Sequence, residues 1–270
     1  MNKNTLEKHA LEARRNILTM IHAASSGHPG GSLSCTDLGT YLFFNEMNYE
    51  NLEDENRDRF VLSKGHAAPM LYAMLMEKGY LAKEEMTSLR QVNSKLQGHP
   101  SMRKLDGIDM STGSLGQGLS VANGMALGFK MDGKPNKVYA ILGDGEMQEG
   151  MIWESAMFAS HYKLSNVTAI LDNNGLQIDG KNEDVLGVDP LDKKWEAFGW
   201  HVIKCDGHDF DSIDKAFEER HKISDKPVII IAKTIKGKGV SYMEDQAGWH
   251  GKAPNDEELE IAMKELGGIK

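Results

Sequence analysis

Asp144 lies in Gly143-Asp144-Gly145, and thirty positions further on the chain reads Asp172-Asn173-Asn174. Each cluster follows a short apolar run, Val138 to Leu142 and Val167 to Leu171, so each closes a candidate strand. The interval holds one helix and one strand, and a single crossover brings Asp144 and Asn174 to neighbouring strand ends. A carboxylate and an amide oxygen, with a main-chain carbonyl nearby, form a hard-oxygen set suited to Mg²⁺ or Ca²⁺. Mg²⁺ takes one or two such protein groups and completes its shell with phosphate oxygens and water. Gly145 lets main-chain amides meet a phosphate at the start of the Glu149 helix, whose dipole favours an anion. Asp and Asn are also common strand-end turn formers, so neither residue alone decides the matter. A competing assignment is a dinucleotide fold with Asp172 on a ribose hydroxyl. It requires G-x-G-x-x-G, and Gln148 stands at the third glycine position.

Elements must carry these residues to one place. Glycine accounts for 28 of 270 residues, about 10% against an average near 7%. Many of the glycines gather in polar clusters: Ser26-Gly27-His28-Pro29-Gly30-Gly31, Lys64-Gly65-His66, Thr112 to Gly118, Gly143-Asp144-Gly145 and Lys236-Gly237-Lys238-Gly239. Such clusters at element ends point to a site assembled from several loops. The three- and four-residue spacing of Leu6, Ala10, Ala13, Ile17, Met20, Ile21 and Ala24 predicts a helix that stops at Ser25 to Pro29. Further helices are expected over Thr36 to Glu46, Ala67 to Lys78, Leu115 to Met131, Glu149 to Tyr162, Leu191 to Phe198, Asp209 to Ile223 and after Pro254-Asn255. Strands are expected at Phe60 to Ser63, Val138 to Leu142, Val167 to Asp172, His201 to Cys205 and Val228 to Ala232, with residues 92–114 irregular. Strands that are apolar throughout, between helices, read as α/β: a parallel sheet with helices on both faces. No repeat or linker interrupts residues 1–270, which read as one domain. Ligands of such sheets bind beyond the carboxyl ends of the strands.

Composition narrows the functional classes. The chain is 40% hydrophobic and 26% charged, with 31 basic and 40 acidic residues and a net charge of −9. Its basic residues form no run longer than a pair, so neither nucleic acid nor an anionic membrane is an expected partner. Apolar runs such as Val228 to Ala232 fall far short of the roughly 20 residues of a membrane span. The first ten residues are polar and include Glu7, without a secretory pattern. Cys35 and Cys205 are the two cysteines, which excludes a disulfide framework. These features lead to the expectation of a cytoplasmic protein.

Gly143 to Gly150, closed by Asp172-Asn173-Asn174, resembles the thiamine diphosphate motif, which opens with G-D-G and ends with N or N-N about thirty residues later. Ser26-Gly27-His28-Pro29-Gly30, Lys64-Gly65-His66-Ala67, Gly98-His99-Pro100 and Thr112 to Gly118 resemble successive motifs of transketolases, in family order. The likeness runs to about Pro254. It implies a thiamine diphosphate-binding fold of the diphosphate-binding type. Asp144, Asn174 and the carbonyl of Leu176 would bind the metal, Mg²⁺ or Ca²⁺ in its place. His66, Gly145 and His250 would meet the diphosphate, Gly116 the aminopyrimidine, and Ile178 and Ile235 the rings. Glu149 matches a glutamate at the subunit interface. His28, His99 and His250 would line the substrate channel and assist proton transfers, a task suited to imidazole. His9, His161, His201, His208 and His221 are taken as structural. The expected reaction moves a two-carbon ketol unit from a ketose phosphate to an aldose phosphate.

The resemblance also implies what this chain lacks. Transketolases are long, three-domain chains, and no residue here matches the second domain, with its glutamate for the aminopyrimidine and its arginines for sugar phosphate. The expected partner is therefore a separate C-terminal transketolase subunit carrying the pyrimidine domain, in an α2β2 assembly. The smooth finish after the Pro254-to-Leu266 helix favours a natural subunit over a truncated chain. Alternatives are a deoxyxylulose-phosphate synthase-like or dehydrogenase-like thiamine enzyme subunit, or a catalytically silent cofactor-binding module. Ser114 replaces a frequent proline and Ser101 a usual acidic residue, while Ile235 to His250 is about two residues longer than the family spacing.

Overall fold

The computed structural model describes residues 1–267. The chain opens with α1 (Lys3–Ala23), whose first turn is capped by the Asn2 side chain accepting from the Thr5 amide at 2.9 Å. Leu6, Ala10, Ala13, Ile17, Met20 and Ile21 form its buried face. Next come α2 (Pro29–Ser34), α3 (Thr36–Tyr41), β1 (Arg59–Leu62), α4 (Ala68–Glu77), α5 (Gln117–Met131) and β2 (Val138–Gly143). The second half holds α6 (Gly150–His161), β3 (Val167–Asn173), a two-residue hairpin β4 (Leu176–Gln177) and β5 (Gly180–Lys181), then α7 (Asn182–Val185) and α8 (Leu191–Ala197). It closes with β6 (His201–Asp206), α9 (Phe210–Arg220), β7 (Val228–Lys233) and α10 (Asp256–Glu265).

Five strands form one parallel sheet in the order β1-β2-β3-β7-β6. Both faces are apolar because helices cover both. Phe60, Leu62, Tyr139, Ile141, Ile170 and Ile230 pack with α1, α3, α4 and α9. Val61, Ala140, Leu142, Ala169, Leu171 and Ile229 pack with α5, α6 and α8 on the other side. This is the α/β arrangement expected from the uninterrupted apolar strands. The pairing of Gly143 with Asp172 sets the ends of β2 and β3 side by side. No described helix is long and apolar enough to cross a membrane.

Three local differences from the expected elements bear on the site. The breaker at Ser25 to Pro29 ends α1, yet Pro29 itself opens α2, since proline lacks only an N–H that the first helical turn leaves free. The helix expected from Glu149 begins instead at Gly150, and Gly145–Gln148 forms a 3₁₀ turn between β2 and α6. The helix expected from Leu115 begins at Gln117, because Gly116 adopts φ +83°, a left-handed value. Residues 92–114 are irregular as expected, although Leu96, Leu105 and Ile108 anchor them in the core.

α5 lies unusually close to the end of β1. A Cβ at Gly118 would stand 2.7 Å from the Ser63 Cα and 2.4 Å from its Oγ, whereas one at Gly124 would meet nothing within 4 Å. Gly118→Ala is therefore expected to destabilise the fold by about 1–3 kcal/mol, as overpacking does. Gly124→Ala should stabilise it by up to about 1 kcal/mol through helix propensity. Urea unfolding of the two variants checks the contrast, and equal midpoints would contradict it.

Candidate functional site

The loops after β1, β2, β3 and β7 meet at the carboxyl edge of the sheet around a cavity of about 260 Å³. Gly31, Lys64, His66, Leu115, Asp144, Gly145, Glu149, Asn174, Leu176, Ile178, Lys236 and His250 are among its lining residues. One crossover does bring Asp144 and Asn174 together, as the spacing required. Asp144 is buried; its Oδ1 accepts from the Gly145 amide at 2.8 Å and its Oδ2 from the Gly175 amide at 2.5 Å. Burial, with Asp172 nearby, pushes the Asp144 carboxyl above the usual carboxylate range despite these two donors. Asn174 is buried and its Oδ1 accepts from the Leu176 amide at 3.0 Å. The Leu176 carbonyl accepts from Lys236 Nζ at 3.1 Å.

These oxygens fit a hard divalent cation. A buried carboxylate raised by desolvation gains from a cation beside it, and one amide oxygen and one carbonyl are the neutral partners such ions take. Among the described residues no three His, Cys, Asp or Glu side chains gather as a metal-holding group. A divalent ion held by this donor set would need further oxygens from a ligand or water to complete its shell.

Two lysines that were not singled out in the sequence reach this cavity. Lys64, just past β1, donates to the Gly31 carbonyl at 2.8 Å and pairs with Asp172 in full burial. Burial alone would depress the Lys64 ammonium, but the Asp172 carboxylate outweighs it and holds the group well above its ordinary value. Lys236 has no such carboxylate contact; burial, followed by the Lys64 charge, lowers it to about 8. Asp172 is an ion-pair partner rather than a ribose-binding group. It also accepts from Ser34 and Thr234, and is held below the carboxylate range despite its burial. Both lysines stand inside glycine clusters already visible in the sequence, as was Asp172 at the end of β3; the pairing of Lys64 with that carboxylate was the missing signal.

Glu146, also not anticipated, is 2% exposed. Its Oε1 accepts from the Ser63 hydroxyl and from the Gly116 amide at 2.9 Å, and its Oε2 from the Gly143 amide at 3.0 Å. One carboxylate thus joins the ends of β1 and β2 to the turn before α5. Burial raises its carboxyl against these donors. Gly116 itself faces Glu149, where a Cβ would come within 2.7 Å of the glutamate Cβ, and Leu115 lines the cavity in its place. Ser114, the proline replacement, accepts from Gln117 Nε2 at 3.1 Å.

Three of the singled-out histidines form a triangle. The His28, His66 and His250 rings have centroids 5.1–5.4 Å apart. Burial, then Arg90, His99 and Lys236, pushes His28 down to about 4. Burial, then Lys236, His28 and Lys64, pushes His250 down to about 3. Burial and Lys64 depress His66 well below its ordinary value, and burial and Arg90 lower His99. His99 stands beside Gly113, outside the cavity lining. Glu149 and Ile178 are exposed at the rim, with Ile178 63% accessible. Ile235 lies outside the lining; its amide donates to His208 Nε2 at 2.8 Å, tethering the loop that delivers Lys236. The remaining histidines of the sequence reading serve elsewhere. His9 stacks on Phe44, His161 lies edge-on to Tyr162, His201 and His221 meet Glu219 and Glu46, and His208 meets Asp37.

Comparison with known proteins places this geometry. The family described as "Transketolase, thiamine diphosphate binding domain" matches residues 6–269. The chain is 41% identical over 268 residues to an apulose-4-phosphate transketolase subunit of Phocaeicola vulgatus, covering 98% of this chain and 95% of that one. It is 44% identical over 263 residues to a 6-deoxy-6-sulfo-D-fructose transketolase subunit of a Clostridium species, covering 97% and 96%. Human transketolase is 47% identical over 234 residues, which cover 85% of this chain and 37% of the human one. The crystal structure of Campylobacter jejuni transketolase superimposes with a TM-score of 0.93 at 34% identity, over 99% of this chain and 43% of that protein. This chain thus spans less than half of the long transketolases and nearly all of the two subunits. By its sequence, its sheet and its strand-end loops, the chain belongs to the transketolase thiamine diphosphate-binding domain family.

Proposed function

We propose that this chain is the diphosphate-binding subunit of a transketolase, working with a separate chain that carries the pyrimidine domain. The observation that carries the reading is the meeting of Asp144, Asn174 and the Leu176 carbonyl beside a cavity that is cationic at Lys64 and Lys236 and bordered by histidines. The two relatives of similar length, each a named transketolase subunit, support the division into two chains. An α2β2 assembly in the cytoplasm acting on sugar phosphates belongs to the same proposal, as does residues 1–270 forming one domain.

Asp144, Asn174 and the Leu176 carbonyl would hold Mg²⁺, or Ca²⁺ in its place, and through it the diphosphate of thiamine diphosphate. Lys64 and Lys236 supply positive charge where that anion lies, and His66, His250 and the Gly145 amide supply donors. Leu115 and Ile178 would offer surface for the rings and Gly116 would shape the turn beside them, while the Ile235 amide tethers the loop that delivers Lys236. Thiamine diphosphate held there would supply a nucleophilic thiazolium carbon, the chemistry needed to move a two-carbon unit from a ketose to an aldose. His28, His99 and His250, neutral at physiological pH, would hold the sugar's oxygens and exchange protons with its hydroxyls. Glu149, at the rim, would serve at a subunit contact. Terminal groups of the sugar would be read by the partner chain, so phosphorylated and sulfonated sugars make equal demands on this half.

Three measurements test the reading. The isolated chain is expected to bind Mg²⁺–thiamine diphosphate weakly and to turn over no ketose, with ketol transfer appearing when the partner is added. Strong transfer by the pure chain would overturn the two-chain proposal. In the reconstituted enzyme, Asp144→Ala should weaken metal-dependent cofactor binding by more than about 100-fold, beyond the usual effect of outer-shell changes. Calorimetry showing unchanged affinity would remove Asp144 from the ligand set. The third concerns pH. His28 is neutral in the fold down to about 4, whereas in the unfolded chain it protonates below about 6.5. Over that window the unfolded state binds the extra proton, so stability falls as pH drops from 6.5 towards 4. The urea midpoint should decline across this range, less steeply in His28→Gln, and an equal slope in both proteins would show that the ring is not depressed.

A further inference from the structure

Two of the clustered histidines each have a cation at Nδ1. Lys236 Nζ stands 3.0 Å from His250 Nδ1, and Arg90 Nη2 stands 3.5 Å from His28 Nδ1. An ammonium and a guanidinium carry donors only, so in each pair the ring nitrogen must accept. A neutral imidazole has one proton, and with Nδ1 accepting, that proton sits on Nε2. Both rings are held neutral by burial and by the surrounding cations.

The neighbours leave no competing assignment. The charged and titratable groups bearing on the two rings are Arg90, Lys64, Lys236 and the other histidines of the cluster. Among the described residues no Asp or Glu side chain hydrogen-bonds to His28, His66, His99 or His250. Histidines that work as bases commonly show the reverse polarity, with a carboxylate or carbonyl on Nδ1 and a free Nε2. The reverse polarity occurs in this same chain at His208. There Nδ1 lies 2.7 Å from Asp37 Oδ2 and Nε2 accepts from the Ile235 amide at 2.8 Å, which puts the proton on Nδ1.

Arg90 is built to stay where it is. It holds a left-handed φ of +62°, fixed by its amide donating to the Leu96 carbonyl at 2.8 Å. Its Nη1 also donates to Ser26 Oγ at 3.2 Å, and it forms no ion pair among the described residues. This exposed guanidinium, with no carboxylate partner among the described residues, is thus held from a sparsely populated backbone conformation against Ser26 and His28.

We propose that Lys236 and Arg90 are positioning residues that fix His250 and His28 as Nε2–H tautomers, so that both rings meet a bound sugar as hydrogen-bond donors. The sugar in that statement rests on the transketolase reading; the tautomers do not. Donor rings backed by cations stabilise negative charge developing on a substrate carbonyl or hydroxyl oxygen. Each ring gives a hydrogen bond first, and its Nε2 takes a proton only after releasing the one it holds.

The test uses the full-length chain labelled with ¹⁵N at histidine, near pH 7, with no sugar, cofactor or partner added. Long-range ¹H–¹⁵N correlation should show His250 and His28 protonated on Nε2 and His208 protonated on Nδ1. Lys236→Met should move the His250 Nδ1 resonance to that of an unbonded ring nitrogen and leave His28 in place. Arg90→Met should do the converse by a smaller displacement, since its contact is 3.5 Å against 3.0 Å. Arg90 is exposed, so its removal leaves the fold intact. Protonated Nδ1 on His250 or His28 in the unaltered chain overturns the proposal for that ring, as does an Nδ1 resonance that ignores loss of its cation. With no sugar present, failure here leaves the transketolase reading standing, and an inactive reconstituted enzyme leaves the tautomers standing.

Discussion

The carboxyl edge of the sheet depends on one buried ion pair, Lys64 with Asp172, whose side chains are 2% and 0% exposed. Taking two such ions out of water costs several kcal/mol each, and the cost is offset only where the remaining donors and acceptors are satisfied. They are satisfied here: Asp172 also accepts from Ser34 and Thr234, and Lys64 also donates to the Gly31 carbonyl. One carboxylate therefore joins α2, the loop after β1, the end of β3 and the loop after β7. Asn174 follows Asp172 by two residues and Lys236 follows Thr234 by two, so the ligand candidates inherit their positions from this pair. Losing one partner would strand the other charge, a loss of about 3–5 kcal/mol. The pair belongs to the architecture of the site as much as to its electrostatics.

The cavity gathers buried cations in a chain that carries −9 overall. Lys64, Lys236 and neutral histidines border it together with the carboxylates of Asp144, Glu146 and Glu149, of which Asp144 meets two backbone donors. Burial strengthens such local charges relative to the distant surface ones. It also explains why the histidines are neutral: a protonated ring would add a third cation to a desolvated space already holding two. Neutral rings beside fixed cations are an arrangement that receives an anion without having to lose a proton first.

The fold was legible because a covered parallel sheet leaves a plain trace, apolar strands such as Val228 to Ala232 between amphipathic helices. The meeting of Asp144 with Asn174 was legible too, since parallel strands joined by one crossover admit few arrangements. Element starts were less so. Pro29 reads equally as a stop for α1 and a start for α2, and Gly116 shifts the start of α5 by a left-handed φ that sequence does not display. The supporting charges were illegible for a different reason. Lys64, Asp172 and Glu146 look like ordinary polar residues at strand ends, and only three-dimensional closure reveals that each is buried with its partners. The tether at Ile235 was illegible as well: the family likeness implied a place near the rings, and the donation of its main-chain amide to His208 leaves no mark in the sequence.

The contact between Lys236 and the Leu176 carbonyl ties these threads together. A carbonyl aimed into a desolvated cavity must be satisfied, and an unpaired one costs about 1–3 kcal/mol. The ammonium meets that demand at 3.1 Å. A divalent ion at the same oxygen would meet it as well, and would then stand close to the ammonium, a repulsion bearable only if an anion arrives with it. On the proposed function, metal and diphosphate would thus be coupled by charge, each making room for the other beside Lys236. The lowering of Lys236 by burial and by Lys64 points the same way, because the site holds its second ammonium at a cost that a bound diphosphate would remove.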